Sequence, residues 1–319
     1  MHPRESEDSL AVRAAWMHHV GGMTQAQVAT RLGISGVKAH RLVAHANRIG
    51  AIRVTVEGDI LSCLEAEQAL AQRFGLTECR VVPDLHETGL PLRALGQAGA
   101  QFLEEEMRSQ PEATIGVGHG RTLGAVVSAL PQMDAARLRF VSLLGGLTRT
   151  YAANPHDVMH RLTERTGAEA YVLPVPFFAN STADRDVFLG QRGVGDVVAM
   201  GLGARLMIAG IGTVQPDAQI IASRLVEAAE VTEVMARGGQ GELLGHFFDA
   251  AGQSVETGLT ARTLSPDLAH LRERRIVAIA GGETKVAAIR AVLQSGLLSG
   301  LIADERTAQS LIGDVDGTS

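Results

Sequence analysis

From Glu7 to Val20 the run EDSLAVRAAWMHHV repeats its apolar residues at helical spacing, which predicts an amphipathic helix burying Leu10, Ala14 or Trp16, and Met17. Gly21-Gly22 ends that pattern. Thr24 is placed to cap a second helix, TQAQVATRL, which Gly33 stops. Ser35 is placed to cap a third, GVKAHRLVAHANRI, which Gly50 stops. Within this segment Val28, Ala29, Leu32, Gly33, Ile34, Ala39 and Leu42 carry the steric pattern of a helix-turn-helix: a small residue where two helices cross, glycine at the tight turn, and shared apolar positions. A plain helical hairpin is the competing reading. The run AIRVTV after Gly50 alternates and predicts a short strand or wing that ends at Glu57-Gly58-Asp59.

Beyond Leu64 the pattern changes. LEAEQALAQRFG and LRALGQAGAQFLEEEMR are helical in period, with a short strand around Arg80–Val82 between them. Four apolar runs then end in glycine: TIGVGHG (114–120), RFVSLLGG (139–146), LMIAGIG (206–212) and RIVAIAGG (275–282). AYVLPVP (170–176) and GLIADE (300–305) are two further strand candidates. These runs are continuous rather than alternating, as expected of strands covered on both faces of a mainly parallel sheet. The stretches TLGAVVSAL, PHDVMHRLTERTG and TKVAAIRAVLQSG supply intervening helices. Alternating strand and helix predict an α/β, doubly wound, mainly parallel-sheet domain. In such sheets a ligand lies over the carboxyl ends of the strands, and four glycine-ended strands suit close backbone approach to a small molecule.

Charge sharpens this division. Between Ala11 and Arg53 there is no Asp or Glu, while Arg13, Arg31, Lys38, Arg41, Arg48 and Arg53 are basic. The whole chain of 319 residues carries −6, so the basic block is attached to an acidic body. A polyanion is the expected partner of the first segment and not of the second. Near the start of the third helix Ser35, Gly36, Lys38, His40 and Arg41 are offered outward, where base edges and phosphates are met; Thr24 and Gln25 open the preceding helix. A hydrophobic fraction of 45% excludes disorder, and no window approaches about 18 uninterrupted apolar residues. Glu5, Glu7 and Asp8 with no apolar stretch argue against a secretory signal, and the two cysteines, Cys63 and Cys79, fit a reduced compartment. A cytoplasmic location is expected.

Enzymatic and metal chemistry find little support. His156 and His160 stand four apart with Asp157 between, but a zinc-protease helix needs Glu beside the first His, and no third ligand is evident. Gly116-Val117-Gly118-His119-Gly120 is not a dinucleotide fingerprint, and Gly281-Gly282-Glu283-Thr284-Lys285 is not a phosphate-binding P-loop. No nucleophile elbow occurs. Neither cofactor, metal nor catalytic residue is expected. An isomerase- or deaminase-like enzyme bearing a DNA-binding head is the rival reading, with Asp249 or Asp304 as the available acids.

A helix-turn-helix opening TQAQVATRLGIS, followed in order by GHGRTL, SLLGG, GIG, GHFFD, AGGETK and LIADER, resembles the SorC/DeoR family of sugar-responsive bacterial transcription regulators over essentially the full chain. The resemblance implies a DNA-binding head (1–56) on a sugar- or polyol-binding and oligomerisation domain (64–319) related in fold to sugar-phosphate isomerases. It further implies a homo-oligomer, dimer or tetramer, whose grip on operator DNA is altered by a small carbohydrate or its phosphate. YAANPHDVMHR with PVPFFANS is similar to regulators of erythritol-type polyol catabolism. Residue by residue, the family's Gly-Arg-Thr turn matches Gly120-Arg121-Thr122, preceded by Gly118 and His119, and its glycine pair matches Gly145-Gly146. Asn154, Phe177, Gly212, Asp249, Gly282, Lys285 and Asp304 complete the implied effector rim, with Gly210, Phe178, Gly281 and Glu305 beside them. Departures from the family pattern fall at His119, Glu242 and Ala303 in the body and at Gly36 and His40 in the head.

Overall fold

A computed structural model of the chain describes residues 6–52, 60–146, 158–215, 218–222 and 225–313. The chain divides into two compact units, Met1–Gly58 and Asp59–Ser319.

The first unit is three helices around a core of small residues. α1 (Glu7–Ala15) starts at Ser6, whose hydroxyl accepts the Ser9 N–H at 3.1 Å, and continues as a π turn over Trp16–Val20. α2 (Gln25–Leu32) begins in a capping box: Thr24 accepts the Gln27 N–H at 3.3 Å, and Gln27 Oε1 accepts the Thr24 N–H at 2.8 Å. Gly33 closes α2 at φ 65°, a left-handed conformation that a side chain resists, and so sets the tight turn. α3 (Gly36–Arg48) is capped by Ser35, which accepts the Lys38 N–H. Ala11, Ala14, Ala15, Val28, Ala29, Ala39, Leu42, Val43 and Ala46 form the core. Of the two alternatives for burial on α1 it is Ala14 that is enclosed; Trp16 is 63% exposed, because the π turn rotates it off the core face. Leu10 and Met17 only flank the core. Asp8 Oδ1 meets His45 Nε2 at 2.6 Å and ties α1 to α3. The strand expected from AIRVTV falls largely on residues 53–59, outside the described residues.

The second unit opens with α4 (Leu61–Phe74), β1 (Glu78–Val82), α5 (Leu92–Ser109), β2 (Thr114–Val117), α6 (Arg121–Ala129) and β3 (Arg139–Ser142). It continues through α7 (Met159–Thr166), β4 (Glu169–Tyr171), α8 (Thr182–Leu189), α9 (Val194–Leu202), β5 (Leu206–Ala209), β6 (Gly212–Thr213), α10 (Gln219–Ala222) and α11 (Ala228–Ala236). β7 (Gly241–Leu243), β8 (His246–Phe248), α12 (Leu268–Leu271), β9 (Ile276–Ile279), α13 (Val286–Gln294), β10 (Gly300–Asp304) and α14 (Glu305–Gly313) complete it. Seven strands form one parallel sheet in the order β1-β10-β9-β5-β2-β3-β4. Every residue of β5, β9 and β10 is buried, and their side chains alternate between two cores. Ile208, Val277, Ile279 and Ile302 join one core with Phe102 of α5, Val126 of α6 and Leu162 of α7. Met207, Ile276, Ala278 and Leu301 join the other with Leu70 of α4, Ile289 of α13 and Leu311 of α14. Helices on both faces are the physical reason the strands read as unbroken apolar runs.

A second sheet, β6-β7-β8, is antiparallel, with Gly212 opposite Glu242 in register. No hydrophobic pattern announced it, since its strands are only two and three residues long. It stands beside α13, with Gly241 close against Ala288.

Candidate functional site

In the head, the capping of α3 by Ser35 leaves the first turn of the helix facing outward. Ser35, Gly36, Lys38, His40 and Arg41 are all exposed, and no acidic residue lies on α2 or α3. Gln25 Oε1 lies 3.1 Å from His40 Nδ1, which couples the start of α2 to the exposed face of α3. Thr24 is engaged in the capping box. Val37, 74% exposed on the same turn, was not singled out by the sequence pattern; an apolar side chain there suits a thymine methyl in a major groove. Basic groups for phosphates and short polar and apolar groups for base edges are thus presented together.

In the second unit the strand order reverses between β2 and β5: β3 and β4 extend to one side, β9, β10 and β1 to the other. The loops leaving the carboxyl ends of β2 and β5 diverge there, and such a reversal is where open parallel sheets bind ligands. Gly118, His119 and Gly120 follow β2; Gly210, Ile211 and Gly212 follow β5. α6 begins at Gly120 with no side-chain cap, so its first-turn amides and its positive end face the crevice beside Arg121 and the buried Thr122. His119 stacks edge-on against Phe177 with ring centroids 5.1 Å apart.

Two ionisable groups converge on the loop after β5. Lys285, just before α13, donates from Nζ to the Ile211 carbonyl at 2.6 Å. Glu242 of β7 lies across the bare face of the next residue, Gly212, where a Cβ would collide with Glu242 Oε2. Glu242 Oε1 accepts the Gly245 N–H at 2.6 Å, and no described residue hydrogen-bonds Oε2. Burial pushes the Glu242 carboxyl up to about 7, against the opposing pull of the Gly245 N–H and the Lys285 charge. Burial, with Arg121 as the second cause, brings the Lys285 ammonium down to about 8, and Glu242 opposes that shift. The two groups feel each other's charge, yet no ion pair within 4.0 Å closes between them.

The structure separates the residues implied for the rim. Gly118, Gly120, Arg121, Thr122, Gly212 and Lys285 gather at the reversal point, and His119 and Phe177 form a wall, although Phe177 itself is buried in the core. Gly118 and Gly145 already use their N–H groups within the fold, on the carbonyls of Ile208 at 2.8 Å and Leu264 at 3.2 Å. The α6 terminus, by contrast, has no side-chain cap on its first-turn amides. Asp304 is buried and engaged on both oxygens: Oδ1 accepts from the Thr307 hydroxyl at 2.6 Å and from the Gly282 N–H, while Oδ2 accepts the Thr307 N–H. It ties the Gly281-Gly282 turn to the start of α14. Asp249 closes a turn, its Oδ1 accepting the N–H groups of Ala251 and Gln253. That turn abuts Gln294 through Gly252, at the end of α13 opposite Lys285. The acid on the crevice side of this hairpin is Glu242, whose only signal in the sequence was a departure from the family pattern. Gly146 is half-buried in the loop after β3, and Asn154 lies outside the described residues. His160 is paired with Glu164 at 3.2 Å, and His156 is also outside them.

Residues 58–313 match a family model described as "Putative sugar-binding domain". The chain is 57% identical over 313 residues to the erythritol catabolism regulatory protein EryD of Brucella abortus, covering 98% of this chain and 99% of that protein. It is 31% identical to the transcriptional regulator LsrR of Klebsiella pneumoniae, over 96% of this chain and 94% of that protein. The crystal structure of the full-length sorbitol operon regulator SorC from Klebsiella pneumoniae superposes with a TM-score of 0.72 at 28% identity, over 95% of this chain and 98% of that one.

Proposed function

The chain belongs to the SorC/DeoR-type family of sugar-binding transcription regulators, and on that premise we propose that its head holds the operator of a polyol catabolic operon while a small polyol in the crevice sets the strength of that hold. It is a DNA-binding regulator rather than an enzyme, as its named relatives are regulators of catabolic operons. α3 enters the major groove through Ser35, Gly36, Val37, Lys38, His40 and Arg41, with Thr24 and Gln25 at the groove edge. The crevice between the loops after β2 and β5, with the α6 terminus and Lys285, takes the effector. Similarity to an erythritol regulator along the full chain supports a four-carbon polyol or its early catabolic product as that effector. Two heads of a homo-oligomer meet two half-sites, so the effector needs only to shift their spacing to change affinity. The regulator works in the cytoplasm, where the operator is. No described helix is long and apolar enough to cross a membrane.

The observation that carries this reading is the exposed first turn of α3, basic and free of acids, on a head joined to a glycine-lined crevice. It is tested by selecting DNA from a random library with the purified protein, then measuring binding of the selected sequence by fluorescence anisotropy with and without erythritol. A two-fold symmetric site whose affinity changes at least tenfold with erythritol is expected. Failure to select any sequence, or affinity indifferent to erythritol and its phosphate, overturns it.

A further inference from the structure

Resting on the reading of α3 as the helix that enters the major groove, we propose that Gln25 and His40 form one base-reading unit: Gln25 fixes the imidazole so that His40 Nε2 accepts a hydrogen bond from the exocyclic amine of an adenine or a cytosine. His40 is exposed in the second turn of α3, and Gln25 is half-buried at the first position of α2. Fifteen residues apart in the chain, they meet across the tight turn at Gly33, with Gln25 Oε1 3.1 Å from His40 Nδ1. An amide oxygen only accepts, so the proton between them sits on Nδ1, and Nε2 of the uncharged ring keeps a lone pair and no hydrogen. No described residue hydrogen-bonds His40 Nε2.

The edges of the bases decide what such a ring reads. In the major groove adenine N6 and cytosine N4 donate, whereas guanine presents O6 and N7, and thymine O4, as acceptors. The Nε2 lone pair meets a proton from adenine or cytosine but a second lone pair from guanine or thymine, which leaves a polar contact unmade in a closed interface. The other outward side chains do not compete for this role. Lys38 and Arg41 only donate, Val37 is apolar, and the Ser35 hydroxyl oxygen already accepts the Lys38 N–H. Without Gln25 the ring carries its proton on either nitrogen and accepts or donates according to the base it meets.

The test uses the full-length protein at about pH 8, above the ordinary imidazole range. Wild type, His40→Ala and Gln25→Met each select sites from a random DNA library, and Trp16 fluorescence melts show that each head is folded. The site selected by wild type is then remade with the amine removed from each adenine or cytosine in turn, as purine or pyrimidin-2-one, and bound to wild type and His40→Ala by anisotropy. Wild type is expected to demand adenine or cytosine at one position of each half-site, a demand that His40→Ala loses while it keeps the others. Removing that amine is expected to weaken wild type about 3- to 10-fold and to leave His40→Ala unchanged. Gln25→Met is expected to admit guanine or thymine at the same position. A His40→Ala variant that keeps every preference overturns the proposal. So does a wild type that demands guanine or thymine where His40→Ala does not, or that tolerates loss of every amine. Wild-type preference in Gln25→Met overturns the part given to Gln25. If wild type selects no sequence at all, the reading of the head as an operator binder fails, and this proposal with it.

Discussion

Glu242 sits on a short strand, opposite a glycine, with one oxygen tied to a backbone N–H and the other against the bare face of Gly212. Among the described residues the Gly245 N–H donates to one half of this carboxyl, so its burial is compensated in part, and stability should record that. Its carboxyl is raised to about 7 from an ordinary 4.5, so the folded state holds the proton more tightly than the unfolded chain. The associated stability is complete below about pH 4.5 and is lost as pH rises through about 7. Wild type should therefore lose ground to Glu242→Gln between pH 5 and pH 8, by on the order of 1–3 kcal/mol. Urea unfolding at the two pH values checks this; an unchanged difference would mean that the carboxyl is solvated. Lys285 has the opposite slope. Brought down to about 8 from 10.5, it contributes stability that rises with pH between those values, so the two effects occupy different windows.

At the scale of elements, the head depends on its caps more than on volume, because its core is largely alanine. Ala11, Ala14, Ala29, Ala39 and Ala46 allow close helix approach but bury little apolar surface each. Capping by Thr24 then carries an unusual share of the stability of α2. Thr24→Ala should destabilise the head by about 1 kcal/mol, within the usual 0.5–2 kcal/mol range for such caps. The chain's one tryptophan, Trp16, lies in the head, so its fluorescence follows unfolding of that unit alone. Thermal melts at 295 nm excitation should show the early loss, while the second unit's transition, followed by circular dichroism, stays unmoved. The π turn that carries Trp16 outward is the local reason that residue is available as a probe.

For the whole molecule, the proposed division of work between the basic head and the more acidic body means that each should be separable by mutation. Arg41→Ala should weaken operator binding by about 1–3 kcal/mol and lower the salt slope if its partner is a phosphate. The erythritol-induced melting shift should stay as in wild type, because the crevice belongs to the second unit. Anisotropy over a series of salt concentrations, together with the melting shift, checks both halves; a lost shift would mean that Arg41 supports the fold. Much of this organisation was legible beforehand. Gly33, Thr24 and Ser35 fixed the turns and helix starts of the head, and the glycine-ended apolar runs placed strands β2, β3, β5 and β9. The short antiparallel hairpin escaped notice because two or three residues carry no periodicity.

Local chemistry was thus enough to determine the capped helices of the head, the parallel α/β class and the charge division, since each rests on neighbours along the chain: caps, glycine turns and contiguous apolar runs. Which acids lie beside the loop after β5 depends on contacts between distant segments. Asp304 looked like a ligand by sequence, but Thr307 and Gly282 occupy both of its oxygens. Asp249 looked equally suited, but its turn is carried to the far end of α13. Glu242 reached the crevice because β7 pairs it with Gly212, where the missing side chain leaves room for a carboxylate beside Lys285. The order of strands, with its reversal between β2 and β5, put that room at the carboxyl edge, and only tertiary pairing could decide it.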